Sequence, residues 1–255
     1  MNTQPNSCIK NNILLVGLDD VGQQAINKVI ELKRCDDNDF WLGIALVELT
    51  ATTDINALIN ELQPIKTRCL SGNAQFLFGV YADASLWPTI QQRMELLQPL
   101  TDVADSVVVI PCLADDTPAQ ALARFPQWIS DLLHNEGMIN LDMADIDSRL
   151  RSGLAFFGYA RKRDETINEA INIIRQQWHY CYLPPAFVQN MMACIDGNED
   201  LGLEEYTDVA EILSQSHHPF APTRNTVYAI GLTVNNELED QYFNVGVLFF
   251  GLEFI

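Results

Sequence analysis

Apolar residues along this chain fall into two alternating grammars, short unbroken runs and stretches at helical spacing. Ile13, Leu14, Leu15 and Val16 form a continuous apolar run broken by Gly17; Ala25, Ile26, Val29, Ile30 and Leu32 then recur at helical spacing. A second run, Trp41 to Leu49, follows the acidic turn Asp36-Asp37-Asn38-Asp39, and 54–62 returns to a helical pattern. Further runs at Gln75 to Tyr81 and Ser106 to Ile110 flank a helical stretch near Thr89 to Leu97. Strands that are apolar on both faces and alternate with helices predict a parallel sheet covered on both sides. Beyond Pro118 a long helical pattern runs to Leu133, with Pro126 expected to kink or divide it, and a stop is expected at Glu136-Gly137.

The second half reads differently. It predicts helix near Met143 to Gly153, strand near Leu154 to Ala160, helix over 165–177, strand near Phe187 to Ile195 and helix over 204–213. Two closing strands, Thr226 to Val234 and Tyr242 to Phe250, flank the polar turn Asn235-Asn236-Glu237 and read as a hairpin on a mixed sheet. The expected organisation is an α/β domain with its central helix over 1–136 and an α+β domain over 137–255.

Composition narrows the function classes. Of 255 residues 48% are hydrophobic, enough for a sizeable core and against a disordered chain. Lys and Arg number 15 against 34 Asp and Glu, a formal charge of −19, which repels nucleic-acid phosphates and anionic lipid. No apolar run approaches the roughly 20 residues of a bilayer span, and residues 1–10 do not read as a secretion signal, so a cytoplasmic protein without membrane insertion is expected. Six scattered cysteines without a C-x-x-C pair suit reduced, mostly buried thiols rather than a disulfide framework or zinc site.

The first strand-to-helix turn, VGLDDVGQQA over 16–25, is where an α/β protein would hold phosphate on helix amides. Such a loop needs glycines and no negative side chains. This one has Gly17 and Gly22 but also Asp19 and Asp20, either of which can cap the helix or hold a metal or cationic ligand. Neither G-x-x-x-x-G-K-[ST] nor G-x-G-x-x-G occurs. In GMINLDMADID, 137–147, Asn140, Asp142, Asp145 and Asp147 precede the next helical pattern. Asp142 and Asp145 have a spacing that suits capping, and such carboxylates could instead polarise a water against a phosphoanhydride brought to them. His217-His218-Pro219 reads as a solvated loop, His134 and His179 as partly buried residues, and Arg161-Lys162-Arg163 as a solvated strand end.

Several of these segments resemble FtsZ of the tubulin/FtsZ family. Residues 136–145 resemble its synergy loop, R-P-G-L-M-N-V-D-F-A-D; Phe157-Gly158-Tyr159-Ala160 and the helical stretch after it are similar to the following strand and helix. Leu203 to Val209 resembles L-D-E-F-E-T-V, and 225–254 the closing strands. In the first half Thr53-Asp54 with Ala57-Leu58 is similar to T-D-x-x-A-L, and Asp105 to Pro111 to D-S-L-I-T-I-P.

The departures fall on the nucleotide side: 16–25 replaces V-G-G-G-G-G-N-A, nothing replaces G-G-G-T-G-T-G between about Leu62 and Gln75, and Cys112 stands where the family has the Asn after I-P. The family's C-terminal adaptor peptide is likewise expected to be missing. The resemblance therefore implies a shortened FtsZ-like α/β fold with a degenerate site at Gly17, Asp19, Asp20 and Gly22, no bound cofactor with GTP disfavoured, and no catalysis of its own. Asn140, Asp142 and Asp145 would act in trans on an FtsZ-type partner, capping or modulating its filaments. The alternatives are a self-assembling GTP binder with a reduced site and a homodimeric structural protein.

Overall fold

The apolar runs form the interior strands of one sheet. The computed structural model describes residues 7–10, 13–29, 40–72, 74–82, 89–112, 116–134, 137–139, 153–163, 166–181, 183–197, 201–215, 220–234 and 242–254. Strands are β1 (Ser7–Lys10), β2 (Ile13–Gly17), β3 (Leu42–Leu49), β4 (Gln75–Ala82), β5 (Ser106–Val109), β6 (Gly137–Ile139), β7 (Gly153–Arg163), β8 (Ala186–Gly197), β9 (Phe220–Val234) and β10 (Tyr242–Phe254). Helices are α1 (Asp20–Lys28), α2 (Ile55–Ser71), α3 (Ile90–Leu97), α4 (Pro118–His134), α5 (Ile167–Tyr180) and α6 (Leu203–Ser214). The sheet order is β1-β2-β3-β4-β5-β7-β10-β8-β9-β6. Strands β2, β3, β4, β5 and β7 are mutually parallel. Strand β10 runs antiparallel to both neighbours, and β8 and β9 are parallel.

Alternation along each strand feeds two cores. Leu14, Val16, Ala45, Val47, Phe76 and Phe78 face α2, α3, α5 and α6. Ile13, Leu15, Ile44, Leu46, Leu77 and Val108 face α1 and α4. The period-2 geometry of a strand makes this division automatic wherever both faces are covered.

Crossover geometry creates the cleft described below. The steps β2 to β3 and β3 to β4 move in the same direction across the sheet, yet α1 lies on one face and α2 on the other. The two connections therefore have opposite hands, although right-handed crossovers prevail in about 98% of parallel pairs. The chain leaving β2 and the chain leaving β3 part toward opposite faces, and that divergence opens a crevice at the carboxyl ends of these strands, where α/β proteins place ligands.

Three expectations need correction. The closing strands are not a hairpin: β10 inserts between β7 and β8, so β8 separates it from β9. Val245, Val247, Leu248, Phe249 and Phe250 are fully buried, and a strand apolar on both faces gains most from a central position, whereas Val227 of β9 is exposed. The stop expected at 136–137 falls at His134, with Gly137 opening the edge strand β6, but Pro126 does not divide the stretch into two helices: α4 is one helix. His179 is exposed rather than partly buried, because α5 turns Ile167, Ile171, Ile174 and Trp178 inward.

Helix α2 continues through exposed Pro64 to Ser71 and occupies the interval where the glycine-rich loop is missing. The sheet is continuous across the boundary expected at 136/137, since β5 pairs directly with β7.

Candidate functional site

The crevice between β2 and β3 has a volume of about 370 Å³ and is walled by the β2–α1 and β3–α2 connections. Its acidic residues are Asp19, Glu48, Asp54 and Glu61, with Thr50, Thr52 and Thr53 between them.

Both helix N-termini at this crevice are already occupied by carboxylates of the chain itself. Asp19 is the N-cap of α1: Oδ1 accepts from Gly22 N at 2.6 Å and Oδ2 from Glu48 N at 3.0 Å. One carboxylate thus takes an amide from the start of α1 and an amide from the end of β3. These are the kinds of donor that a phosphate would use at a helix N-terminus. Burial pushes the Asp19 carboxyl above its ordinary 3.8, outweighing the opposing pull of the Gly22 and Glu48 amides. Asp54 caps α2 in the same way, accepting from Asn56 N at 2.9 Å and Ala57 N at 3.2 Å. Asp20 is exposed in the first turn of α1, where its charge favours the helix end. The Thr50 amide donates to Thr53 Oγ1 at 2.8 Å, and the three threonine hydroxyls bond among themselves, closing the β3–α2 turn.

The two glycines of the first turn serve packing. A Cβ on Gly17 would lie 2.4 Å from Gln23 N, and one on Gly22 would lie 2.3 Å from Leu46 O. Leu18 N also donates to Leu46 O at 3.1 Å, so the start of α1 is held against β3. The glycines permit this backbone approach.

Of the residues singled out in the sequence, the structure brings Gly17, Asp19 and Gly22 together at the α1 start, with Asp20 beside them. Asn140, Asp142, Asp145 and Asp147 lie outside the described residues, as do His217 and His218. Cys112 does not line the crevice; its thiol donates to the Asp116 carbonyl at 3.1 Å. Sequence reasoning did not assign Glu48, Asp54 and Glu61 to the Asp19 site. Asp54 carried a readable signal, an Asp directly before an apolar helical pattern; Glu48 at the end of a buried strand carried none. Among the described residues no three His, Cys, Asp or Glu side chains converge on a metal-sized site. No described helix is long and apolar enough to cross a membrane.

A mixed sheet of this order, helix-covered on both faces and with an acidic crevice at β2 and β3, defines an FtsZ/tubulin-like α/β protein. FtsZ from M. jannaschii, in a point-variant structure, superposes with a TM-score of 0.64 at 20% identity, covering 85% of this chain and 68% of that one. A structure described as an empty FtsZ dimer from the same source gives 0.62 at 19% identity, over 84% and 64% of the two chains. CetZ from Methanosaeta thermophila gives 0.52 at 14% identity, over 89% and 76%. In sequence, the chain is 26% identical over 163 residues to the cell division protein FtsZ of Methanothermobacter thermautotrophicus, a match covering 56% of this chain and 40% of that relative. No protein-family model matches. The chain has the FtsZ/tubulin-like fold and is similar in sequence to FtsZ, and the match spans well under half of that curated relative.

Proposed function

We propose that this chain is a non-hydrolysing FtsZ-like protein of the cytoplasm that acts by contact with other protein subunits, capping or modulating FtsZ-type filaments. The observation that carries the reading is Asp19, whose carboxylate takes the Gly22 and Glu48 amides at the crevice. Glu48, Asp54 and Glu61 around it add repulsion toward a polyphosphate. A phosphate group entering there would have to displace a bonded carboxylate and sit in a negative field, so GTP is disfavoured.

The contact face in this reading is the segment carrying Asn140, Asp142 and Asp145, which would meet the nucleotide side of a partner subunit. Purified chain is mixed with a GTP-hydrolysing FtsZ, and cosedimentation and partner GTP turnover are measured. The expected result is binding with altered turnover, both lost on combining Asp142→Ala with Asp145→Ala. An undiminished effect from the doubly substituted chain would remove that face from the proposal. Titration calorimetry with GTP separates the reduced-site GTP binder, which would give saturable heat.

The relative described as an FtsZ dimer supports a second copy of this chain as the alternative partner. Sedimentation equilibrium of the chain alone tests that homodimeric reading.

A further inference from the structure

A second cavity lies far from the crevice in the fold, on the α1/α4 face, between α4 and strands β7, β10, β8 and β9. Its volume is about 70 Å³. Three polar atoms of residues on its wall are buried without a hydrogen-bond partner: Trp128 Nε1, Gln127 Oε1 and Asn244 Oδ1. Trp128 is only 7% exposed, and Gly246 makes room for it, since a Cβ there would lie 2.1 Å from the indole nitrogen.

The two amides have defined orientations. Gln127 Nε2 donates to Asp131 Oδ1 at 2.7 Å, and Asn244 Nδ2 donates to Asp196 Oδ2 at 3.2 Å. Turning either amide over would set its oxygen against a carboxylate, so both carbonyl oxygens remain as acceptors awaiting a donor or a cation. Each buried unsatisfied group costs about 1–3 kcal/mol. Three such groups on the wall of one cavity mark a place filled by something polar.

The charge of the wall says what kind. Arg124 is held in a bidentate pair by Asp116 and lies over the Tyr159 ring. Asp131 and Asp196 are the two carboxylates on the wall, and Thr233 Oγ1 donates to Asp196 Oδ1 at 3.0 Å. Tyr159 and Cys194 are pushed up to about 12, chiefly by burial, so they stay neutral. Counting Arg124, Asp131 and Asp196, the wall carries one net negative charge and two free carbonyl oxygens, with one N–H donor opposite.

We propose that this cavity binds a small monovalent cation together with the water it carries. The carbonyl oxygens of Gln127 and Asn244 coordinate the ion, Asp131 and Asp196 supply the field, and the water accepts from the Trp128 N–H. Hard cations in general take carbonyl and carboxylate oxygens and can keep part of their hydration shell. The site has no part in the reading of the β2–β3 crevice and stands or falls separately.

The test uses the full chain at fixed ionic strength, with KCl, NaCl or NH4Cl compared against choline chloride, whose cation is too large for the cavity. At ten times the dissociation constant the small cation should raise Tm by roughly 3–6 °C over choline. A saturable change in tryptophan emission should accompany it and be absent in Trp128→Phe. Asn244→Ala and Gln127→Ala should each abolish the difference between the salts; either suffices if the other does not fold. Equal Tm in choline and in all three small cations overturns the proposal, as does a difference that survives both amide substitutions or a response to divalent ions alone.

Discussion

Replacing Asp19 with Gly tests the most specific feature of the crevice. Glycine is a tolerable N-cap, so the loss at α1 itself is a few tenths of a kcal/mol. The larger cost comes from Glu48 N, which loses its bond to Oδ2 in a half-buried position. An unmade hydrogen bond of that kind costs about 1–2 kcal/mol, which converts to a fall in Tm of roughly 2–8 °C for a chain of this size. The informative part is the gain. With the carboxylate gone, Gly22 N and Glu48 N point at a vacated anion position, and inorganic phosphate or pyrophosphate should now stabilise the variant. At ten times the dissociation constant that restores about 1.4 kcal/mol. Thermal unfolding of wild type and Asp19→Gly with increasing pyrophosphate, against chloride of equal ionic strength, is the assay. The expected pattern is a rising Tm for the variant and a flat one for wild type. Equal stabilisation of both would show that Asp19 does not hold the anion position, and no response from a folded variant would show that the two amides do not form one.

The pH dependence of the same residue has a defined sign. Burial raises the Asp19 carboxyl above 3.8, so its contribution is greatest below 3.8 and is lost as the pH rises through its folded value; wild type should lose stability relative to Asp19→Asn in that window, as paired urea titrations would show. Gly158→Ala places a methyl 2.3 Å from Ile174 Cγ2, and overpacking should cost about 1–3 kcal/mol by denaturant unfolding, a cost that shrinks in an Ile174→Ala background, which lacks Cγ2. Leu62→Ala removes a fully buried side chain from the α2 face and should cost about 2–5 kcal/mol in the same assay. Cys181 and Cys194 are buried with thiols pushed up to about 12, and Cys69 to about 11; among the four described cysteines, peptide-resolved alkylation at neutral pH should label Cys112 first and leave these three until unfolding.

Elements with a clean period were legible before the structure. Apolar runs such as 75–81 and 106–110 became strands, and the Glu204–Leu213 pattern became α6, because burial on one or two faces leaves a direct trace in sequence. The pairing of the last two strands was not legible. A polar turn between two apolar strands signals a hairpin locally, but the competition for the central slot beside β7 is decided by burial across the whole sheet. Helix α2 runs on past the 54–62 pattern to Ser71, and Pro64 within it sits on the exposed side, where water can satisfy the carbonyl it frees. At the crevice, the cap by Asp19 was among the readings of the turn, since Asp before a helix is informative in itself. Its second bond, to the amide of Glu48, spans 29 positions and depends on how β3 lies beside β2.

The ladder joining Ser106, Val107, Val108 and Val109 of β5 to 153–156 of β7 bears on motion as well as on shape. A hinge between the amino-terminal strands and the β7–β10–β8–β9 half would have to break that row of backbone bonds and bare Phe156 and Val107, both fully buried. Rocking of one half against the other is therefore costly. A chain built this way presents a preset contour to whatever meets it, since its two halves cannot bend apart without breaking that row of bonds.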